Sequence, residues 1–445
     1  MSDSPPTDSD RTPPSDAPSK GGSTFYWHYA WVIVAIAAIM QMVGASIRMA
    51  FGVFIEPLSQ TFLWDQGDIT LAYGINSVVS AIASPAAGWV GDRIGVRKAM
   101  AIGALMFIAG MAITGVIQEL WQFYVAFGVI LGTAQAIFLV PLLPGVMRWY
   151  RRQLGWGMGI LMASWGVGPA IAAPIMGLMI VHLGWQGTFW VTAAGSAVIM
   201  AILIYLYKDS PADIGVEPYG TLPSESFKIE IVIDKVKASN FASHMKKTSA
   251  YYNMSSIHFL GCVGHAVILV YLIPIAVQEG IDLVAAATIL AVMAAVSVPS
   301  RFAVPVLAEK VGVRAIMAIF YFLQGVTVIL LFWTHEHWMF YLFAVVFGVG
   351  YGGESGGFPI LNRKYYGHAP QGSPYGFQML GAGLGMALGG WIGGVIFDIT
   401  NGYGWALVIS VVASIAGMVS IMLLEPTDEL IIPDWELDAS PSIGH

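Results

Sequence analysis

The chain has 445 residues, 57% of them hydrophobic and 11% charged, with a net charge of −7 and a mean hydropathy of +0.71. A soluble domain carries roughly a quarter charged residues, so this composition excludes a soluble enzyme or nucleic-acid binder. At roughly 20 apolar residues per membrane crossing, the apolar content suffices for about a dozen spans.

In chain order, residues 1–30 open with a Pro-, Ser- and Asp-rich stretch that has no apolar core, which predicts a disordered tail and no cleaved signal. Apolar segments follow at 31–54, 69–90, 99–117, 120–147, 156–183 and 188–206, making an N-terminal six-helix bundle over 31–206. Residues 207–253 carry six lysines and six acids and read as a linker. A second bundle over 254–424 repeats the pattern at 256–277, 283–307, 315–333, 338–360, 375–397 and 405–424, before an acidic tail at 425–445. The expected fold is an all-α polytopic membrane protein with 12 transmembrane helices in two pseudo-symmetric six-helix bundles.

Alternate loops hold all the loop cations, among them Arg93, Arg97, Lys98, Arg148, Lys310, Arg314, Arg363 and Lys364. The opposite loops hold Glu56, Asp65, Asp68, Glu119, Glu279, Asp282, Glu336 and Asp398 and no Lys or Arg. Positive charge resists translocation, so the basic face is predicted to be cytoplasmic, with both termini on that side. Two cations and one acid are left over at membrane depth: Arg48, Arg301 and Glu354.

The loop after the second span reads Gly88-Trp-Val-Gly-Asp92-Arg93-Ile-Gly95-Val-Arg97-Lys98, and the loop after the eighth reads Glu309-Lys310-Val-Gly312-Val-Arg314. Acid, base, x, Gly, x, base recurs at an offset of 217 residues (309 minus 92), as expected of two parallel copies of one six-span unit. A Gly turn between an acid at a helix end and basic residues beyond it is suited to clamping neighbouring helices at the inner face.

These residues resemble the major facilitator superfamily of secondary transporters. The first copy matches that family's Gly-x-x-x-Asp-Arg-x-Gly-x-Arg-Lys pattern, whereas the second has Pro305 and Glu309 at its Gly and Asp positions. The segments Met49 to Leu58 and Tyr271 to Ala276, with Ser300-Arg301-Phe302, are similar to the branch of monocarboxylate transporters and oxalate/formate exchangers. The resemblance implies two bundles rocking about a midplane site, a plasma (inner) membrane location and a monomeric functional unit. It also implies that Arg301 binds a substrate carboxylate. Ser297 stands where that branch places an acid four residues before this arginine, Met49 where it places a lysine of the first span, and Leu380 where the oxalate exchangers place a second lysine.

An arginine in hydrocarbon costs about 2.5 to 3.5 kcal/mol on insertion scales, so each must face a polar cavity or a partner. Two guanidinium groups against one carboxylate predict an anion site, and the planar fork suits a carboxylate. Arg48 shifted by 217 falls on His265, and His265 and Glu354 are the candidate proton carriers. Tyr73, Asn76, Gln135, Tyr271 and Gln378 are further polar groups at depth, expected either to complete the substrate's hydrogen bonds or to tie helices together.

Other patterns carry less. Gly348-x-Gly350-x-x-Gly353 sits inside an apolar span with no preceding strand, and Gly166-x-Gly168-Pro169 lies in the fifth span; both read as close helix packing. There is no Walker A pattern, and no set of ligands suggests a metal or other cofactor.

The functional expectation is proton-coupled symport of a small organic anion, a monocarboxylate first. The alternatives are anion exchange, export of amphipathic compounds, or a membrane sensor that keeps the fold. The expected partners are a small carboxylate, H+ and the bilayer, with no nucleic acid and no enzymatic activity.

Overall fold

A computed structural model describes residues 28–150, 154–221, 235–367, 369 and 372–434, which are overwhelmingly helical. Ten helices among the described residues are long and apolar enough to cross a membrane. One of these runs, Trp156–Leu206, has 51 residues, about 77 Å of helix at 1.5 Å per residue against about 30 Å of hydrocarbon. It folds back at Gly184, whose φ of +69° a glycine adopts without strain, so it supplies the fifth and sixth spans. The tenth span is an 18-residue helix that continues through a 3-10 turn into a shorter one.

The elements are α1 (Tyr29–Met49), α2 (Gly52–Phe62), α3 (Gln66–Ile94), α4 (Val96–Thr114), α5 (Leu120–Phe123), α6 (Leu131–Leu139), α7 (Leu142–Met147) and α8 (Leu154–Leu206) in the first half. The second half has α9 (Lys235–Met245), α10 (Ser249–Gln278), α11 (Leu283–Val311), α12 (Val313–Val328), α13 (His337–Glu354), α14 (Phe358–Tyr366), α15 (Gly372–Thr400) and α16 (Gly404–Met422). A π-helical stretch, Tyr124–Ile130, joins α5 to α6.

The duplication is visible in the helix ends. Asp65 precedes α3 and Asp282 precedes α11; Glu119 precedes α5 and Glu336 precedes α13, and both pairs are 217 residues apart. On the basic face, Gly95 and Gly312 both take positive φ, +90° and +114°. Each delivers an arginine to the last carbonyls of its bundle's final helix: Arg97 donates to Ile204 O and Tyr205 O, and Arg314 to Ile421 O and Met422 O. Both carbonyls obey the same 217 offset. A cation on a helix C-terminus satisfies orphan carbonyls and complements the helix dipole, so the repeated motif clamps spans 6 and 12 to their own bundles. Arg93, Lys98 and Lys310 lie exposed beside these clamps, and Gly91 admits Pro141, only 2.7 Å from where its Cβ would stand. The side chains of Asp92 and Glu309, and the tails at residues 1–27 and 435–445, fall outside the described part.

The start of the linker is docked and not free. Tyr219 N–H donates to Trp149 O, and the Tyr219 ring packs against Trp31, His28 and Tyr150.

The halves meet along α3 with α15, α8 with α11, and α2 with α10. Glycine makes the approach possible: a Cβ on Gly52 would stand 2.4 Å from Val270 O, and one on Gly166 2.9 Å from Ala294 O. At the end that carries the acidic loops, the Asp398 carboxylate accepts the N–H groups of Gln66 (2.9 Å) and Gly67 (2.6 Å), and Tyr403 Oη donates to Gln66 Oε1. A carboxylate from one half thus caps the first turn of a helix in the other, where dipole and orphan N–H groups both favour it. Any opening between the halves at this acidic-loop end must break this clasp. Asp398→Asn removes the charge-assisted part, about 1.5 kcal/mol, and is expected to raise the population open at this end about tenfold. Spin labels on Leu63 and Ile399, both exposed near the clasp, report it as a longer distance component; an unchanged distribution would show that the cap does not set the balance.

Candidate central binding site

Span 1 is not one straight helix. α1 ends at Met49 and α2 begins at Gly52; between them Phe51 N–H bonds Arg48 O and Val53 N–H bonds Ala50 O, both tighter i to i+3 links. Arg48 sits in the last turn of α1, half-buried, and its guanidinium makes no hydrogen bond or ion pair to protein among the described residues. A cation at a helix C-terminus gains from the dipole, but its five donors remain available. Nearby, Tyr73 is fully buried with no hydrogen-bond partner for its hydroxyl. Phe51, three residues on, meets the Tyr73 ring at 5.4 Å, and Gly52 abuts Val270 O, which sets the break after Arg48 against both α3 and α10.

On the other side, His265 Nδ1 lies 2.6 Å from Glu354 Oε2. The carboxyl group is 1% exposed and its second oxygen, Oε1, has no partner. Glu354 is the last residue of α13, where the helix tightens into the Ser355–Gly357 turn. Gly261 on α10 leaves room for it: a Cβ there would stand 2.1 Å from Glu354 Oε1. Nε2 of His265 faces Met386 Sδ at 3.1 Å. The Cys262 thiol joins this cluster, its sulfur within 4.8 Å of the ligand atoms of His265 and Glu354. Only the packing of α13 on α10 brings these three groups together.

Tyr351 connects the two charges. Its ring meets His265 edge-on at 5.1 Å, and the Arg301 guanidinium lies over the same ring, 4.6 Å from its centre. Arg301 Nε also donates to Ser297 Oγ at 3.3 Å. Ser297, standing where the resembling branch has an acid, therefore holds the arginine without neutralising it.

Four other candidates have protein partners. Asn76 Nδ2 donates to Phe127 O, Gln135 Nε2 to Gly44 O, and Gln378 exchanges two hydrogen bonds with Asn362. Tyr271 Oη donates to Gly390 O and accepts from Gly394 N–H. These hydrogen bonds tie helices together, while the Tyr73 hydroxyl and Asn76 Oδ1 are buried with no hydrogen-bond partner among the described residues. The glycines read as packing residues are contacts: Gly348 faces α11 at Met293, and Gly350 and Gly353 face α12 at Gln324 and Phe320; Gly352 adds a further contact with α11 at Ser297.

Two pseudo-symmetric helical bundles around a charged interior define a polytopic membrane carrier. The sequence profile of the Major Facilitator Superfamily matches residues 34–334 and 254–441, and the chain belongs to that superfamily. It is 24% identical over 361 residues to human monocarboxylate transporter 2, covering 77% of this chain and 73% of that one. An uncharacterized transporter of the same superfamily, YcxA from Bacillus subtilis, is 22% identical over 404 residues, covering 89% and 95%. Among solved structures, a bacterial homologue of the human lysosomal transporter Spinster, in an inward-facing, unoccupied conformation, superposes with a TM-score of 0.66 at 13% identity, covering 89% of this chain and 95% of that one.

Proposed function

We propose that this transporter moves a small organic anion, a monocarboxylate first, together with a proton by alternating access. The observation that supports the reading is the chain of contacts from Arg301 through Tyr351 to the buried His265–Glu354 pair: in this reading Arg301 binds the anion and the pair holds the proton. Arg48 and the Tyr73 hydroxyl offer donors from the other half, so a carboxylate between them engages both bundles and favours the occluded state. Glu354 is the one acid to offset two arginines, and a carboxylate plus a proton enter with no net charge. Electroneutral entry avoids work of about 2.3 kcal/mol per charge per 100 mV against an inside-negative potential.

One observation favours a second reading, anion exchange. Arg48 has no counter-ion among the described residues, and an empty carrier must bury that unpaired cation to return, a cost the bound anion removes.

Uptake of a labelled carboxylate panel into proteoliposomes separates the two. Symport gives accumulation under an acid-outside pH step with no internal anion. Exchange gives uptake only against preloaded anion and no response to the step. Arg301→Ala is expected to lower pH-driven uptake at least tenfold; equal rates in wild type and variant would remove Arg301 from the mechanism.

A further inference from the structure

The inner half of α10 carries a second buried histidine that neither the anion site nor the pair with Glu354 uses. His258 precedes His265 by seven residues, about two turns or 10.5 Å nearer the basic face, and on the same side of the helix. Cys262 lies between them on that stripe. Across from it, span 10 runs the opposite way: His265 faces Glu354, and His258 stacks on Phe358 one turn further in, with ring centres 4.2 Å apart. His258 is 6% exposed and its Nδ1 has no hydrogen-bond partner.

Packing does not require this histidine. A phenylalanine would stack on Phe358 equally well, without leaving a polar nitrogen unsatisfied, a cost of about 1 to 3 kcal/mol. Facing the stripe from α13, at the other end of the interval, Glu354 Oε1 is also unsatisfied. The groups around the interval are Glu354 and Tyr351 from α13, Tyr321 from α12, Arg301 from α11 and Arg48 from α1, with Cys262 and His265 on α10 itself. Phe358 of α14, Met386 of α15 and Ser414 of α16 add nothing that ionises.

We propose that His258 is the inner station of the coupling proton, receiving it from the His265–Glu354 pair and releasing it to the basic face. The proposal rests on the proton-coupled reading above. In the inward step, the N–H or O–H bond holding the proton within the pair breaks, the proton passes through water, and a new N–H bond forms at Nδ1 of His258. The pair returns to neutral imidazole and carboxylate. His258, now an imidazolium, gives its proton to water at the inner face, and no electron changes hands.

The test compares two assays in proteoliposomes, using the panel carboxylate that the wild type accumulates fastest. Net uptake under an acid-outside step requires the proton to leave at the inner side. Counterflow of labelled against unlabelled anion can proceed with the proton retained. His258→Phe keeps the stack and lacks a titratable nitrogen, while His258→Gln keeps a hydrogen-bonding group. Both are expected to slow net uptake at least tenfold and to leave counterflow within twofold. Net uptake within twofold of wild type in His258→Phe overturns the proposal, and so does equal loss of both activities in a variant that keeps the wild-type melting temperature. If His258→Gln does not fold, His258→Phe alone decides. A wild type indifferent to the pH step, but active in counterflow, sinks the coupling reading itself and the relay with it; that outcome is visible without any variant.

Discussion

Arg48→Met is expected to lower carboxylate uptake, measured below saturation, by about 100-fold, with the melting temperature within a few degrees of wild type. Hydrogen bonds to charged groups are each worth about 1.5 to 3 kcal/mol, and about 1.4 kcal/mol corresponds to tenfold. Losing a two-pronged contact therefore reaches two orders of magnitude. Stability is spared because the guanidinium makes no hydrogen bond or ion pair to protein among the described residues, and methionine fills the stem's volume without a buried charge. Arg48→Lys keeps the cation and loses the planar fork, so an intermediate loss of about tenfold is expected. Arg301 should behave differently. Its guanidinium already holds Ser297 Oγ and the Tyr351 ring, so truncation also releases the ring that abuts His265 and disturbs the pH response along with affinity. Uptake by Arg48→Met within threefold of wild type would place the anion elsewhere.

That ordering reverses the weight the sequence places on the two arginines. Resemblance singles out Arg301, and elimination of loop charges finds both, because an arginine at membrane depth is conspicuous whatever holds it. Whether a guanidinium is already engaged depends on residues such as Tyr351, one of 18 tyrosines and without a spacing signal. The break after Arg48 is also hidden: neither Ala50 nor Phe51 is a helix breaker, and the distortion arises where Gly52 brings span 1 against Val270 O. His265 and Glu354 are each legible as buried ionisable groups, but 89 residues separate them, and only the packing of α10 on α13 shows them to be partners. The polar residues at depth show the converse difficulty. Tyr271 and Gln378 look like substrate contacts until their partners, a backbone carbonyl and an amide, are seen. What transfers fully from sequence is the duplication, since the 217-residue offset read from two loops reappears in paired acidic helix starts and paired arginine clamps.

Glu354→Gln is expected to uncouple transport. The amide matches the carboxylate in shape and can still hydrogen-bond to His265 Nδ1, but it neither carries charge nor accepts a proton. Without the carboxylate, the cavity keeps the charge of two arginines and loses its only offset, so a carboxylate should bind at least as tightly as before. The proton, in contrast, has lost its partner at 2.6 Å. The acid-outside step should therefore no longer stimulate uptake, and accumulation should fall at least tenfold, while labelled anion still exchanges against unlabelled anion at a measurable rate. His265→Gln provides the companion result. It removes the other half of the pair and leaves Glu354 buried without the imidazole at 2.6 Å, so it should lose pH stimulation and several degrees of melting temperature together. If Glu354→Gln responds to the pH step like wild type, the buried pair is a structural tie and the proton crosses by another route. If it loses exchange and net uptake in equal measure, Glu354 serves the anion or the rocking of the bundles, and the split between the two activities is the measurement that separates these outcomes.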